Sequence, residues 1–241
     1  LPPGVGSAQQ VLFRPSSNEF IVGFSDGSIQ RYAVDSESTI TQVPWDLPDN
    51  RSTPTLQVHE GSIDDLQFSR NGEFLTSVNR STDRSVAVLR LSDGTLTRTP
   101  PHGEEVWYRA SAIRSDGSLL AAARQDNRID LFRARGARWE LDRILSGPDA
   151  ESDTGLVFRP DSNDLVSCAH HQIFIWDLQR GRVTHEFETG DREQILDWAL
   201  LEADRNQILL VDESGEIRSW NHLETREGAE LELPGIIVLL C

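Results

Sequence analysis

The chain has 241 residues, which is enough for one large β-domain or two ordinary domains, and its 37% hydrophobic and 26% charged residues are usual for a globular protein. The net charge of −16 argues against binding to a nucleic-acid backbone, because like charges repel. No apolar run is long enough to span a bilayer and no signal peptide is visible, so a cytoplasmic location without a membrane span is expected.

In chain order, the first recurring element is a strand that ends in a large apolar residue, followed by turn-forming residues and a second apolar strand. The spacings between successive copies are 55, 45, 45 and 43 residues. The copies are "FRPSSNEF" from Phe13, "FSRNGEF" from Phe68, "IRSDGSL" from Ile113, "FRPDSNDL" from Phe158 and "LEADRNQI" from Leu201. Each copy therefore predicts a strand, a tight turn and a strand.

A third strand follows in every unit, after a short polar turn such as "FSDGSI" or "RQDNRI". These strands end at bulky apolar residues that are 57, 43, 44 and 44 residues apart: Tyr32, Leu89, Phe132, Trp176 and Trp220. A weaker, charged fourth strand comes next, for example "VTHEFE", as is typical of a sheet edge. Four antiparallel strands repeated every 43–45 residues predict an all-β fold built from propeller blades.

The repeats resemble those of the WD40 family, with "IFIWDL" (Trp176 and Asp177) as the best match and Trp220-Asn221 as a near match. His59 in "VHEG" and His102 in "PHGEEV" resemble the histidine near the start of each repeat. The resemblance implies a buried hydrogen-bond chain of histidine, strand hydroxyl, turn aspartate and tryptophan in each blade. No unit has all four groups, since unit two pairs His59 and Asp83 with Leu89.

The family resemblance predicts a single β-propeller domain, or a portion of one, over residues 1–241. The repeat units are residues 9–58, 59–101, 102–147, 151–189 and 192–233, and a further strand is expected to begin within 234–241. Propellers of this family usually have seven blades, whereas five repeat units are recognisable here. The chain also contains no methionine, so Leu1 is not expected to be a translation start. We therefore expect part of a larger propeller or one completed by a partner, with a closed five-blade ring as the alternative.

Candidate binding residues lie where the innermost strands begin, because these positions surround the mouth of a propeller's channel. They are found four residues before each first-strand marker, and they are Gln9, Asp64, Arg109, Thr154 and Asp197. Trp107 approaches the same rim, and Trp45 lies in a polar, proline-rich insertion at residues 36–54. Tryptophan and arginine are enriched at interaction hot spots, so we include both tryptophans among the candidates.

The sequence shows no phosphate-binding glycine loop, zinc-type cysteine pair or catalytic signature, so we predict no enzyme activity, cofactor or metal site. The leading prediction is a non-catalytic protein-interaction scaffold that binds protein or peptide partners, including basic ones, but no nucleic acid. Three alternatives stay open. They are a regulatory domain of a larger signalling ATPase or protease, an open propeller completed by a partner chain, and an enzyme using Asp64 and Asp197.

Overall fold

The computed structural model describes residues 6–81, 83–101, 106–147, 153–160, 162–188, 194–200 and 207–221. These residues form strands and turns, and they include no helix. The chain divides into two compact units, with the boundary between Leu145 and Ser146. Unit 1 contains three blade sheets and one small two-stranded sheet, and unit 2 contains two further blade sheets.

The three blade sheets of unit 1 are antiparallel, and their first four strands follow one another in chain order from the innermost to the outermost. Blade 1 consists of β1 (Ala8–Phe13), β2 (Glu19–Phe24), β3 (Ser28–Val34), β4 (Ile40–Val43) and β7 (Thr55–Gln57), with β5 (Trp45–Asp46) and β6 (Ser52–Thr53) paired beside it. Blade 2 consists of β8 (Asp65–Phe68), β9 (Phe74–Val78), β10 (Val86–Arg90) and β11 (Leu96–Arg98). Blade 3 consists of β12 (Tyr108–Ile113), β13 (Leu119–Arg124), β14 (Arg128–Arg135) and β15 (Arg138–Ser146).

Unit 2 repeats this arrangement in two further sheets. Blade 4 consists of β16 (Asp153–Phe158), β17 (Asp164–Ala169), β18 (Gln172–Asp177) and β19 (Arg182–Glu188). Blade 5 has three described strands, β20 (Ile195–Leu200), β21 (Gln207–Asp212) and β22 (Ile217–Asn221). The predicted fourth strand of this blade and the predicted strand at 234–241 lie outside the described residues.

Successive sheets in a unit pack face to face through alternating apolar residues, which is how propeller blades bury their surface. One core cluster joins blades 1 and 2, for example through Ile21 and Leu75. A second joins blades 2 and 3 through Val88 and Phe132. Within unit 2, apolar residues of blades 4 and 5 form another cluster that includes Trp220. The predicted all-β fold made of propeller blades is therefore confirmed.

The third-strand markers occupy equivalent positions in the five sheets. Each pairs with a large apolar residue of the preceding strand, in the pairs Phe20–Tyr32, Leu75–Leu89, Leu120–Phe132, Leu165–Trp176 and Ile208–Trp220. The repeat period read from the sequence thus corresponds to one structural position per blade.

Asp177, which follows this position in blade 4, accepts hydrogen bonds from the backbone N–H groups of Gln179 (2.8 Å) and Arg180 (2.9 Å).

The insertion of unit one divides the outermost position of blade 1 between two strands. β7 pairs with β3 at Ser28–Gln30, and β4 pairs with it at Arg31–Val34. The residues between β4 and β7 account for the long first spacing, because the chain leaves the sheet after β4 and returns to it at β7.

Candidate functional site

The predicted rim residues of unit 1 lie where the innermost strands are irregular. Gln9 and Arg109 are extra residues in β-bulges, because pairing with the next strand moves from Ala8 to Gln10 and from Tyr108 to Ala110. Asp64 immediately precedes β8, and its N–H donates to the carbonyl of Val78, the residue that also pairs with Asp65. A bulge redirects a side chain out of the regular alternation of a strand. Gln9 and Asp64 are exposed, and Arg109 is half-buried.

In unit 2 the same bulge occurs at the start of both innermost strands. Thr154 is the bulged residue of β16, although its side chain lies outside the described part of the chain. In β20 the bulged residue is Leu196, which is 62% exposed, whereas Asp197 is half-buried and pairs with Val211. The prediction of Asp197 is displaced by one residue because Leu200, not Leu201, holds the marker position of this blade.

A half-buried carboxylate joins the innermost strands of blades 2 and 3. Asp65 Oδ2 accepts a hydrogen bond from the backbone N–H of Ser111 at 3.1 Å. Burial raises the pKa of Asp65 to about 6, although the Ser111 N–H and the charge of Arg80 act in the opposite direction. The neighbouring Asp64 accepts from the N–H of Arg80 at 2.7 Å. The Asp65–Ser111 contact could not be predicted from the sequence, since residue type alone does not show that a carboxylate packs against a neighbouring blade.

The aromatic residues beside Arg109 have different environments. Trp107 is 38% exposed, and its backbone is held by Gln125, whose side-chain oxygen accepts its N–H at 2.9 Å. Tyr108 is fully buried, and its hydroxyl donates to Asp130 at 2.8 Å. Burial and the Asp130 charge raise the pKa of Tyr108, so the phenol stays protonated. Trp107 therefore offers an indole to the surface, whereas Tyr108 belongs to the core.

Trp45 is not available for partner binding. Its side chain is 1% exposed and belongs to the core between blades 1 and 2. Its Nε1 donates to the carbonyl of Ile29 at 3.4 Å, and the Arg31 guanidinium lies 5.0 Å from the ring centre. The indole fills space beside the divided outer position of blade 1, where an apolar group is more stable than in water. We therefore remove Trp45 from the candidate binding residues.

Blade 2 contains most of the hydrogen-bond chain that the family resemblance implies. His59 Nδ1 lies 2.7 Å from Asp83 Oδ2, and His59 Nε2 lies 3.1 Å from Ser77 Oγ. Burial lowers the pKa of His59, against the raising effect of Asp83, so the imidazole is neutral near pH 7. Leu89 stands at the tryptophan position and makes apolar contacts in the core.

Blades 3 and 4 replace this chain with other polar contacts. In blade 4, Trp176 Nε1 donates to Ser167 Oγ at 2.9 Å. In blade 3, Asp130 accepts from the Tyr108 hydroxyl and from Arg124 at 3.4 Å, and all three side chains are buried. His102 lies outside the described residues. The blades therefore share a backbone architecture while differing in their buried polar groups.

Within the described ranges, no cluster of three or more histidine, cysteine or acidic side chains could hold a metal ion. The same residues contain no helix that is long and apolar enough to cross a membrane.

The adjacent histidines at a turn in blade 4 contact different partners. His171 Nε2 lies 3.3 Å from Glu188, and the His170 carbonyl accepts the N–H of Ile195 in blade 5 at 2.6 Å.

Comparisons with known proteins agree with the repeat architecture. Residues 50–88, which include β7 to β9 and most of β10, match the sequence profile of the WD40 family, described as WD domain, G-beta repeat. The chain is similar to small ribosomal subunit protein RACK1y of Oryza sativa subsp. japonica, with 29% identity over 67% of this chain and 48% of that protein. It is also similar to Topless-related proteins 2 and 3 of Arabidopsis thaliana, with 22% and 21% identity over 95% of this chain and 20% of each relative.

The chain thus spans about half the length of the RACK1y protein and a fifth of the Topless-related proteins. The profile match covers residues 59–88 of the second repeat, where the His59–Asp83 contact is present. The other sheets repeat the same strand order with Trp176 or Trp220 at the namesake position of blades 4 and 5. The chain therefore contains a WD40 repeat within residues 50–88, and its other sheets resemble degenerate copies of that repeat.

Proposed function

We propose that this chain is a protein-interaction scaffold whose partner contacts the start of the innermost strands. The main support is that two bulges and a strand start direct Gln9, Arg109 and Asp64 away from regular pairing on three consecutive sheets. Exposed polar groups on a rigid framework suit recognition of a folded protein or a peptide. Trp107 adds a partly exposed aromatic group beside Arg109.

The proposal includes partners that carry positive charge. The chain has 39 acidic and 23 basic residues, and Asp64 presents an exposed carboxylate at the candidate surface. Complementary charge mainly accelerates association and weakens as salt screens it. A partner bound in this way is expected to show faster association at low ionic strength, as measured by surface plasmon resonance.

The experiment compares proteins recovered from an extract of the source organism by wild-type chain and by single variants. Asp64→Ala, Arg109→Ala and Trp107→Ala are expected to reduce recovery of the same partner at least tenfold. Glu37→Ala, an exposed change in the turn between β3 and β4, serves as the control. Equal recovery by all four variants would show that partners bind elsewhere, and turnover of a small molecule by the purified chain would contradict a non-catalytic scaffold.

A second candidate function is a regulatory domain within a longer chain. It is favoured by the coverage of the Topless-related proteins, in which the matched segment is only a fifth of the whole. The mass of the endogenous protein, measured by immunoblot, decides between the two proposals. A mass near 27.0 kDa would rule out the longer chain.

A further inference from the structure

A groove lies between the outer strands of blades 2 and 3, at the opposite strand ends from the bulged residues. Its volume is about 340 Å³, within the range of ligand-binding clefts. Blade 2 contributes residues of β9, β10 and the β10–β11 hairpin, and blade 3 contributes a tight turn and the β14–β15 hairpin. The lining residues include Phe74, Val88, Thr97, Gly117, Ala134 and Trp139.

The floor of the groove is held by contacts that cross between the two blades. Trp139 of blade 3 donates its Nε1–H to the Thr97 hydroxyl of blade 2 at 3.0 Å. Phe74 of blade 2 reaches Gly117 of blade 3 so closely that a Cβ at this glycine would lie 2.4 Å from the ring. Both aromatic rings are thus fixed before any ligand arrives, which lowers the entropy lost on binding.

The hairpin beside the groove is positively charged although the chain as a whole carries −16. Between residues 128 and 143, five exposed arginines accompany two exposed acids, Glu140 and Asp142, so the excess is three positive charges. Gly136 and Ala137 line the groove, and Arg135 and Arg138 flank them in the sequence. The Arg135–Glu140 pair is long, at 3.7 Å, and Arg138 makes no ion pair with any residue that the structure describes.

A further arginine approaches the groove from blade 2. The Arg90 guanidinium carbon lies 5.8 Å from the centre of the Phe74 ring, and its nitrogen lies 3.2 Å from Asp93. Both partners of this ion pair remain about half exposed, so the pair can rearrange around a ligand. Arginine forms bidentate bonds to carboxylates while stacking on aromatic rings, which suits an edge that is part apolar and part charged.

We propose that this groove binds an extended acidic peptide segment of a partner protein. A large apolar side chain of the segment, aromatic or aliphatic, packs on Trp139 and Phe74. Aspartate or glutamate residues on either side of it pair with Arg138 and Arg90. This interaction surface is separate from the bulged residues of the proposed scaffold function. It binds negatively charged partners, whereas the scaffold surface is proposed to bind positively charged ones.

The test is a selection of random twelve-residue peptides displayed on phage against the wild-type chain, followed by fluorescence polarisation with the most enriched synthetic peptide. Enriched sequences are expected to place acidic residues beside an aromatic or large aliphatic residue. Arg138→Glu and Arg90→Glu are each expected to weaken the dissociation constant at least tenfold. Ala137→Trp, which fills the mouth of the groove, is expected to weaken it similarly.

The matched control is Arg128→Glu, which makes the same charge change at the far end of the same hairpin, on a side chain that is 53% exposed. This variant and the scaffold-surface variant Asp64→Ala are expected to leave peptide affinity within twofold of wild type. Absence of enriched peptides, enrichment of basic ones, or equal loss in Arg128→Glu and Arg138→Glu would each overturn the proposal. Competition by a twenty-nucleotide oligonucleotide that depends on Arg138 would assign the hairpin to nucleic acid instead.

Discussion

Asp65→Asn is expected to stabilise the chain at neutral pH. The asparagine oxygen can accept the Ser111 N–H bond without placing a negative charge between blades 2 and 3. The effect depends on pH because burial raises the pKa of Asp65 from its usual 3.8 to about 6. The folded state therefore holds this proton more tightly than the unfolded chain does, and the associated stability is present below pH 3.8 and lost as the pH rises through 6.

The magnitude follows from the two pKa values of Asp65. A change from 3.8 to about 6 corresponds to about 3 kcal/mol of folding free energy, at ~1.4 kcal/mol per pH unit. About half of this loss has occurred at pH 5, and nearly all of it at pH 7.5. The difference in unfolding free energy between Asp65→Asn and wild type should therefore grow by about 1.4 kcal/mol between these two pH values.

The assay is urea denaturation of wild type and variant at pH 5.0, 6.0 and 7.5, with both chains measured in the same buffers. Asp93→Asn is the control, since the Thr95 N–H that its carboxylate accepts lowers the pKa of Asp93, and this exposed group should give a small change of opposite sign. A difference between Asp65→Asn and wild type that stays constant or shrinks with rising pH would refute the reasoning.

Three further variants test other contacts by the same denaturation measurement. His59→Ala is expected to cost about 3 kcal/mol, because it leaves a cavity, removes the contact with Asp83 and takes a partner from the buried Ser77 hydroxyl, and full retention of stability would contradict the buried chain. Trp176→Phe should cost about 1 kcal/mol through loss of one indole hydrogen bond, with no change in near-neutral pH dependence. Gly117→Ala should destabilise more than Gly136→Ala, although both glycines have positive φ, because only the first Cβ would strike Phe74.

Much of the fold could be predicted because the repeat period is carried by local patterns. Large apolar residues at fixed spacing, followed by turn formers, identified the first three strands of each described blade. The error at Leu201 arose because blade 5 has its marker one residue earlier, at Leu200, where neighbouring leucines are indistinguishable in a pattern. Strand register is decided by pairing across the sheet, which a single sequence does not contain.

The candidate site was less predictable, because burial depends on packing between distant segments. Trp45 lies in a polar insertion and suggested a binding residue, yet the chain folds back so that it joins the core. Asp65 and Asp64 are adjacent in the sequence, and only the structure shows that the first bonds to the next blade. The Tyr108–Asp130–Arg124 contacts also join residues that no repeat motif would connect.

The unlike polar groups of the blades have a consequence for assembly. Sheets of similar length and shape in one chain invite exchange of strands between neighbours or between molecules. Here such an exchange would bury His59 without Asp83, or Asp130 without Tyr108, and each mismatch would be strongly unfavourable. Divergence of the repeats therefore makes the buried polar groups of blades 2, 3 and 4 specific to their own sheets. Loss of the shared family motif thus favours correct strand pairing as well as weakening individual blades.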